Sequence, residues 1–517
     1  MNNSSGGRGG HYSDRGHYND RGNDRNGHNG TAEVIAVDVG STWTKAGHFV
    51  LRDGRLSLVR RASTPTTVEH LPTGVLELVR ILRTADNRVP AAAANRGSTA
   101  VPGRSAEAPA GGACPVVCSS SAKGGLSVVA VGIVPELTLA MARRTALSAG
   151  ARISRVFSYE LTEDDVRTID QINPDIILLT GGTDGGNRQY VEHNSALLAR
   201  LSARPHIVYA GNRAMTDRVR ERLTAFPLAI AENILPELDA PNPEPARAAI
   251  REIFIRSITS GKGLDDLRQL TAEPVEPTPL VVYEFVGALS RLESEWGGIC
   301  VVDLGGATTD VYTAGAQLQA DGQRVVQKGP PPPDVLRTVE GDLGMRVSAP
   351  AAVESRREFL SGPHSPAGIS RCAAGMSDYA AELRARPAHL PQSDAEHARD
   401  RLLAAACVTG ALERHAGRQR EVYTPQGPVW VQTGSDLREL RTFVGSGGFL
   451  AAEEPDALTP LFRCASLDER GRTILLPDRW RWLRDRDNLL PLLANAARRF
   501  QRAACLAAAD HWKGGTP

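Results

Sequence analysis

The chain has 517 residues, more than one ordinary core uses, so two or three domains are expected. With 41% hydrophobic and 23% charged residues, its composition is that of a soluble globular protein. A formal net charge of +1 offers no electrostatic grip on nucleic acid or an acidic membrane surface, and no apolar run approaches the roughly 20 residues of a membrane span.

Residues 1–31 form a tail rich in Gly, Asn, Arg and His, with too little apolar surface to offset the entropy of ordering, so disorder is expected. The tail has no apolar signal core, which places the chain in the cytoplasm as an expectation. "EVIAVDVGS" from Glu33 is a continuous apolar run that breaks at Asp and Gly, the pattern of a strand covered on both faces. "AGHFVLRDGRLSLVRRAST" predicts two strands joined at Asp53-Gly54. Val75, Leu78, Val79 and Leu82 have helical spacing. Residues 84–113 are rich in Ala, Gly, Pro and Arg and read as a flexible insertion.

Beyond the insertion, "CPVVCSSSAKGGLSVVAVGIVP" gives two strands around a Ser/Gly turn, and a helix follows with Pro135 in its first turn and Gly150 at its end. Strands at "PDIILLT" and "PHIVYAG" alternate with helices up to about residue 235, which argues an α/β region. Pro-rich stretches at 239–247 and 272–280 bracket another helix, and Pro330–Pro333 make a stiff connector. Residues 390–415 read as helix, "REVYTPQGPVWVQTGSDL" as a hairpin, "LRTFVGSGGFLAAEEP" as strand, Gly loop and helix start, and the last forty residues as basic helix. The seven cysteines (114, 118, 300, 372, 407, 464 and 505) show no CxxC and read as reduced structural thiols. A metal site on Cys114 and Cys118 needs further ligands that the spacing does not supply. His193 and His206 are isolated and read as ordinary histidines.

Two phrases echo each other. "VIAVDVGSTWTK" carries Asp38 and "ICVVDLGGATTD" carries Asp303, 265 residues later. A glycine turn at a strand tip points backbone N–H groups at a phosphate, hydroxyls add donors, and an Asp at the tip holds Mg²⁺ through water. The first phrase supplies Gly40, Ser41, Thr42, Thr44 and Lys45, and the second Gly305, Gly306, Thr308, Thr309 and Asp310. A third glycine loop, Gly445-Ser446-Gly447-Gly448, suits the underside of a nucleotide base, or is one more strand-to-helix turn. "GGTDGG" leaves two roles open for Asp184: a carboxylate that activates an attacking oxygen, or a helix cap in a sharp turn. Glu340 and Asp342 in "EGDLG" either face a nucleotide cleft or cap a helix.

The order of the three loops resembles the actin-like ATPase fold, an α/β class with a duplicated ribonuclease H-like unit and a nucleotide cleft between two lobes. The resemblance implies lobe I at 32–290 and lobe II at 297–517. It assigns Asp38 and Asp303 to Mg²⁺ and catalysis, the two turns to the phosphates of ATP, and Gly445–Gly448 to the adenosine. No Walker A motif is present. "SSSAKGGL", "VGIVPELT", "PDIILLTGGTDGGN", "RTVEGDLGMR" and "FVGSGG" together resemble the glutamate mutase MutL family, actin-like ATPases encoded with coenzyme B12-dependent mutases. That resemblance implies a chaperone-like reactivating ATPase with B12-dependent mutase subunits as partners. The chain has no B12-binding Asp-x-His-x-x-Gly, so it is not expected to be the mutase itself. A small-molecule kinase of the same fold, with Asp184 as base, and a nucleotide-switched scaffold or filament are the alternatives.

Overall fold

The structure is a computed structural model. It describes residues 31–40, 43–66, 71–84, 114–121, 126–238, 240–259, 270–292, 296, 298–315, 325–329, 331–361, 375–425 and 427–514. The tail up to residue 30, nearly all of the 84–113 insertion, Ser41, Thr42, Pro330 and Cys372 lie outside these residues.

β1 (Ala32–Val39), β2 (Trp43–Arg52), β3 (Arg55–Pro65) and β4 (Val116–Ser120) open the first sheet. Asp53 and Gly54 both take positive φ (50° and 74°), the conformation of the tight hairpin that the dipeptide predicts. Between β3 and β4 runs α1 (Leu71–Arg83), whose Val75, Leu78, Val79 and Leu82 are all buried. Trimming Leu78 to Ala there costs about 2–5 kcal/mol.

The chain then leaves for a sheet of its own: β5 (Ser127–Gly132), β6 (Arg152–Ser158), β7 (Ile176–Leu179), β8 (His206–Tyr209) and β9 (Leu228–Ile230). The order is β6-β5-β7-β8-β9 and every pairing is parallel. Parallel neighbours need crossovers, and α2 (Ala140–Ser148), α3 (Glu163–Ile172), α4 (Gln189–Leu198) and α5 (Thr216–Arg222) supply them. The two strands read around the Ser/Gly turn, β4 and β5, therefore belong to different sheets. After α6 (Glu244–Thr259), β10 (Glu276–Pro277) returns to pair with β4, and α7 (Thr278–Leu292) follows at once.

The second echo begins β11 (Ile299–Leu304), followed by β12 (Thr309–Ala314), β13 (Val325–Gln327) and β14 (Val335–Glu340). Next come α8 (Asp394–His415), the hairpin β15 (Arg418–Thr424) and β16 (Gly427–Thr433), then β17 (Thr442–Ser446), β18 (Thr473–Ile474), β19 (Arg481–Arg484) and α9 (Leu490–Trp512). β13, β16, β15 and β18 form a small sheet.

The two principal sheets have the same plan. Their orders are β3-β2-β1-β4-β10 and β14-β12-β11-β17-β19. In each, the first strand is central, the second and third run antiparallel to one side, and the last two run parallel to the other. In each, a long helix follows the fifth strand. Side-chain alternation divides the cores. Val34 and Ala36 of β1, with Ile299 and Val301 of β11, pack into one middle layer with α7 and α9. Ile35, Val37 and Val39 face α1, α2 and the parallel sheet, while Cys300, Val302 and Leu304 face α8. This duplicated 3-2-1-4-5 arrangement is the actin-like, ribonuclease H-like α/β class that the sequence predicts.

Candidate functional site

Each echo is a strand tip that turns into its neighbour. Gly40 N donates to Trp43 O at 3.0 Å, and Gly305 N donates to Thr308 O at 2.9 Å, so one bond closes both turns at the same place. A Cβ on Gly40 would stand 2.7 Å from the Trp43 carbonyl oxygen, which forbids any larger residue without a shift. Within the ladders Asp38 lies opposite Lys45, and Asp303 lies opposite Asp310. Alternation puts all four on the faces that line the middle layer, in register with Val34, Ala36, Ile299 and Val301.

The two tips meet electrostatically. Burial raises the Asp38 carboxyl above its ordinary value, opposed by Lys45 and by hydrogen bonds from Thr278 and Ser119. Burial pushes Asp303 up to about 7, aided by the charges of Asp310, Asp38 and Asp485 and opposed by Lys45. One ammonium thus serves carboxylates from two sheets. Such crowding suits a divalent cation, whose charge would return both groups to the carboxylate form. The donor set is hard oxygen, which fits Mg²⁺.

Thr44 and Thr309 fall one step out of this alternation. Thr44 pairs with Val39 and Thr309 with Leu304, so both turn away from the middle layer and are buried on the opposite face of their sheet. Thr44 Oγ1 meets Thr66 Oγ1 at 3.1 Å, and Thr66 in turn donates to Gly40 O at 2.9 Å. Thr309 Oγ1 donates to Leu343 O at 2.8 Å. These hydroxyls brace the turns from behind. Thr308 Oγ1 reaches Asp310 Oδ2 at 3.3 Å, and Gly306 is open to solvent.

The third glycine loop lies directly on the second echo. Ser446 pairs with Asp303, and a Cβ on Gly447 (φ 96°) would stand 2.2 Å from Leu304 O and 3.1 Å from Asp303 Oδ1. Gly445 is roofed by Trp482, Ser446 Oγ donates to Asp485 Oδ2 at 2.8 Å, and Gly448 alone of the four is exposed. Asp485 is fully buried. Burial opposes its charge, but His511 beside it and the amides of Leu490 and Leu489 hold it below the usual carboxylate range.

Several contributors escaped the sequence reading. Thr278 Oγ1 donates to Asp38 Oδ1 at 2.7 Å, and Ser119 Oγ to the same oxygen at 3.2 Å. Asn495 of α9 donates to Ser119 Oγ at 2.7 Å and to Val37 O at 3.2 Å, so the last helix holds the first echo. Arg337 does the reverse. Its guanidinium donates to Asp310 Oδ1 (2.9 and 2.6 Å) and to Leu147 O and Ala151 O at the end of α2 (2.7 and 3.0 Å). Positive charge at a helix C-terminus is favourable.

Asp184 is placed elsewhere. It sits in the loop after β7, where its Oδ1 accepts from Arg213 N and Asn233 Nδ2, both at 3.0 Å. It does not cap α4, which begins at Gln189 behind Arg188 without a side-chain cap, but it takes the first amide of the 3-10 turn Arg213–Met215 that leads into α5. Asn212 laces the same loop through Gly185 N and the carbonyls of Gly186 and Asn187. Among the described residues, neither Glu340 nor Asp342 caps a helix. Both grip Arg414 of α8, with Nη1 2.9 Å from Glu340 Oε2 and 2.6 Å from Asp342 Oδ1.

Duplicated sheets with facing aspartates at their central strand tips define a protein of the actin-like class. The model of the MutL protein family matches residues 34–510, nearly the whole described chain. A curated relative, Protein MutL of Clostridium tetanomorphum, is 36% identical over 391 residues, 72% of this chain and 80% of that protein. The chain belongs to the MutL family. Solved structures with some likeness include a nucleotide-free acetone carboxylase (TM-score 0.28, 11% identity, 78% of this chain and 81% of that one). Another is gluconate kinase from Lactobacillus acidophilus (TM-score 0.29, 9% identity, 93% and 92%). At TM-scores this low they add nothing to what the strand order establishes. No described helix is long and apolar enough to cross a membrane.

Proposed function

We propose that the protein binds MgATP between lobe I (32–290) and lobe II (297–517) and hydrolyses it to drive a reactivating cycle on an adenosylcobalamin-dependent mutase of the glutamate mutase type. The observation that carries the ATP reading is the pair Asp38 and Asp303, brought from equivalent places in two like sheets to one lysine. Mg²⁺, held through water by these two carboxylates, would supply the positive charge that the phosphates need. The turn amides and Lys45 hold the phosphate oxygens, and the Gly448 end of the third loop opens towards the base. Asp184, with its carboxylate engaged by Arg213 and Asn233, is a poor candidate for a kinase base, and this favours an ATPase over a small-molecule kinase.

The mutase partner rests on family membership together with the resemblance of the five phrases. A reactivating factor exchanges damaged cobalamin for intact cofactor, and opening and closing of two lobes is the kind of motion that can pry such a site. The test has two parts. Purified protein should turn over MgATP, and Asp38→Ala should reduce turnover by roughly 10²-fold or more, the scale of losing an electrostatic contributor to the reaction. A mutase blocked by hydroxocobalamin should then recover activity only with this protein, ATP and fresh adenosylcobalamin together. Absent turnover, or turnover that Asp38→Ala leaves unchanged, removes the ATPase reading. Turnover without recovery of any co-encoded mutase removes only the partner.

A further inference from the structure

At the end of β1 remote from Asp38, β1, β2 and the segment leading into β4 each present a metal-ligating side chain on one face of the first sheet. Glu33 opens β1. His48 lies on β2 opposite Ile35, which makes it the diagonal neighbour of Glu33 on that face. Cys114 stands two residues before Val116, the partner of Ile35 on the other side, so it shares the face as well. Ile35 N donates to Pro115 O at 2.9 Å and fixes the segment there. One ligand atom from each of the three lies within 4.8 Å of the others, and all three residues are half-buried. His48 Nε2 stands 3.1 Å from Glu33 Oε2. His48 Nδ1 is buried without a hydrogen-bond partner, which leaves the ring short of one contact. Cys114 Sγ is touched by the Ile35 N–H and lies 3.8 Å from the adjacent Pro115 O, two weak contacts that a metal ion would displace.

We propose that Glu33, His48 and Cys114 bind a divalent cation of the Zn²⁺ class. Thiolate, imidazole and carboxylate together select Zn²⁺ over the hard Mg²⁺ and Ca²⁺, which take oxygen alone. Water completes the tetrahedron. On binding, the thiol releases its proton to solvent, the sulfur donates a lone pair to the metal, and no electron is transferred. The thiolate and Glu33 neutralise the dication. Arg83 is held aside, because its Nη2 donates to the Cys114 carbonyl oxygen at 2.9 Å rather than to the sulfur. The ion staples β2, β1 and β4 together. Glu33 precedes Asp38 by five residues, about 16 Å along a strand, so the site is separate from the proposed nucleotide cleft and stands independently of it.

Cobalt tests this on the full chain. Reduced, chelator-stripped protein titrated with Co²⁺ should take up one ion per chain. It should show tetrahedral visible bands and a thiolate-to-metal charge-transfer band in the near ultraviolet, both discharged by Zn²⁺. Cys114→Ser should abolish the charge-transfer band, and Cys464→Ser, a change at a thiol elsewhere in the chain, should keep it. Glu33→Gln and His48→Gln should each weaken Co²⁺ binding roughly tenfold or more, since even partners outside a ligand set cost that much. Circular dichroism checks that each variant folds. If Cys114→Ser does not fold, His48→Gln decides: a retained band at weakened affinity supports the site, and unchanged affinity overturns it. No stoichiometric uptake, or a band that survives Cys114→Ser, also overturns it.

Discussion

His415 shows how much one buried side chain can fix. It ends α8, where Nε2 meets Thr313 Oγ1 at 2.9 Å and Nδ1 meets Thr338 Oγ1 at 2.7 Å, so one ring joins α8 to β12 and β14. Burial pushes its pKa down to about 3, from an ordinary value near 6.5. Between those values the unfolded chain binds a proton that the folded chain refuses. Stability is therefore whole above pH 6.5 and falls as the pH drops, by about 1.4 kcal/mol per unit from this group. Between pH 6.5 and 5 the loss is about 2 kcal/mol. The thermal midpoint of the wild type should fall over that range, and His415→Gln should narrow the gap. An equal gap in the variant would assign the acid sensitivity to other groups. Asp184 gives a second lesson at this scale. Four glycines around a carboxylate suggested chemistry, yet the carboxylate spends its lone pairs on Arg213 N and Asn233 Nδ2.

At the scale of elements, the tie between β12, β14 and α2 stands out. Arg337 is almost fully buried beside Asp310 and the carbonyls that end α2. Arg337→Met should cost about 3–5 kcal/mol, chiefly because Asp310 is left charged and unpaired. Adding Asp310→Asn should return part of that loss, as a denaturation double-mutant cycle would measure. If the double variant is destabilised by the sum of the two singles, the pair is not coupled. Sequence patterning found the elements themselves well. The apolar run at 34–39, the Asp53-Gly54 hairpin, the face of α1 and the alternating region after residue 120 all follow from local rules. The echo even located both central strands. Partners contributed from remote segments were not legible. Nothing local marks Ser119, Thr278, Asn495 or Arg337 as attached to Asp38 or Asp310, because each arrives through strand order. Thr44 and Thr309 were not legible either. Each lies an even six residues beyond its aspartate, so plain alternation would put it on the aspartate's face, and only the register across the turn, with Thr44 opposite Val39 and Thr309 opposite Leu304, moves it to the other.

For the whole molecule, each principal sheet is braced by an element from the other half of the chain. α7 leaves the last strand of the first sheet, α9 leaves the last strand of the second, and the two pack together in the middle layer. Asp38 in the first sheet is braced by Asn495 of α9, and Asp310 in the second is braced through Arg337 by the end of α2. A ligand that draws Asp38 and Asp303 together must therefore work against, or along, a joint formed by α7 and α9. The proposed MgATP is such a ligand, since its phosphates would take amides from the turns at 40–43 and 305–308 at once. Trp43, 49% exposed beside the first turn, is a built-in reporter of that event. Adding MgATP should change its fluorescence and slow amide exchange in both turns with a single concentration dependence. Asp303→Asn should lose protection at the first turn as well as the second, because closure needs both tips. Protection confined to whichever turn keeps its aspartate would mean that each half binds on its own, and that the duplicated sheets do not act as one machine.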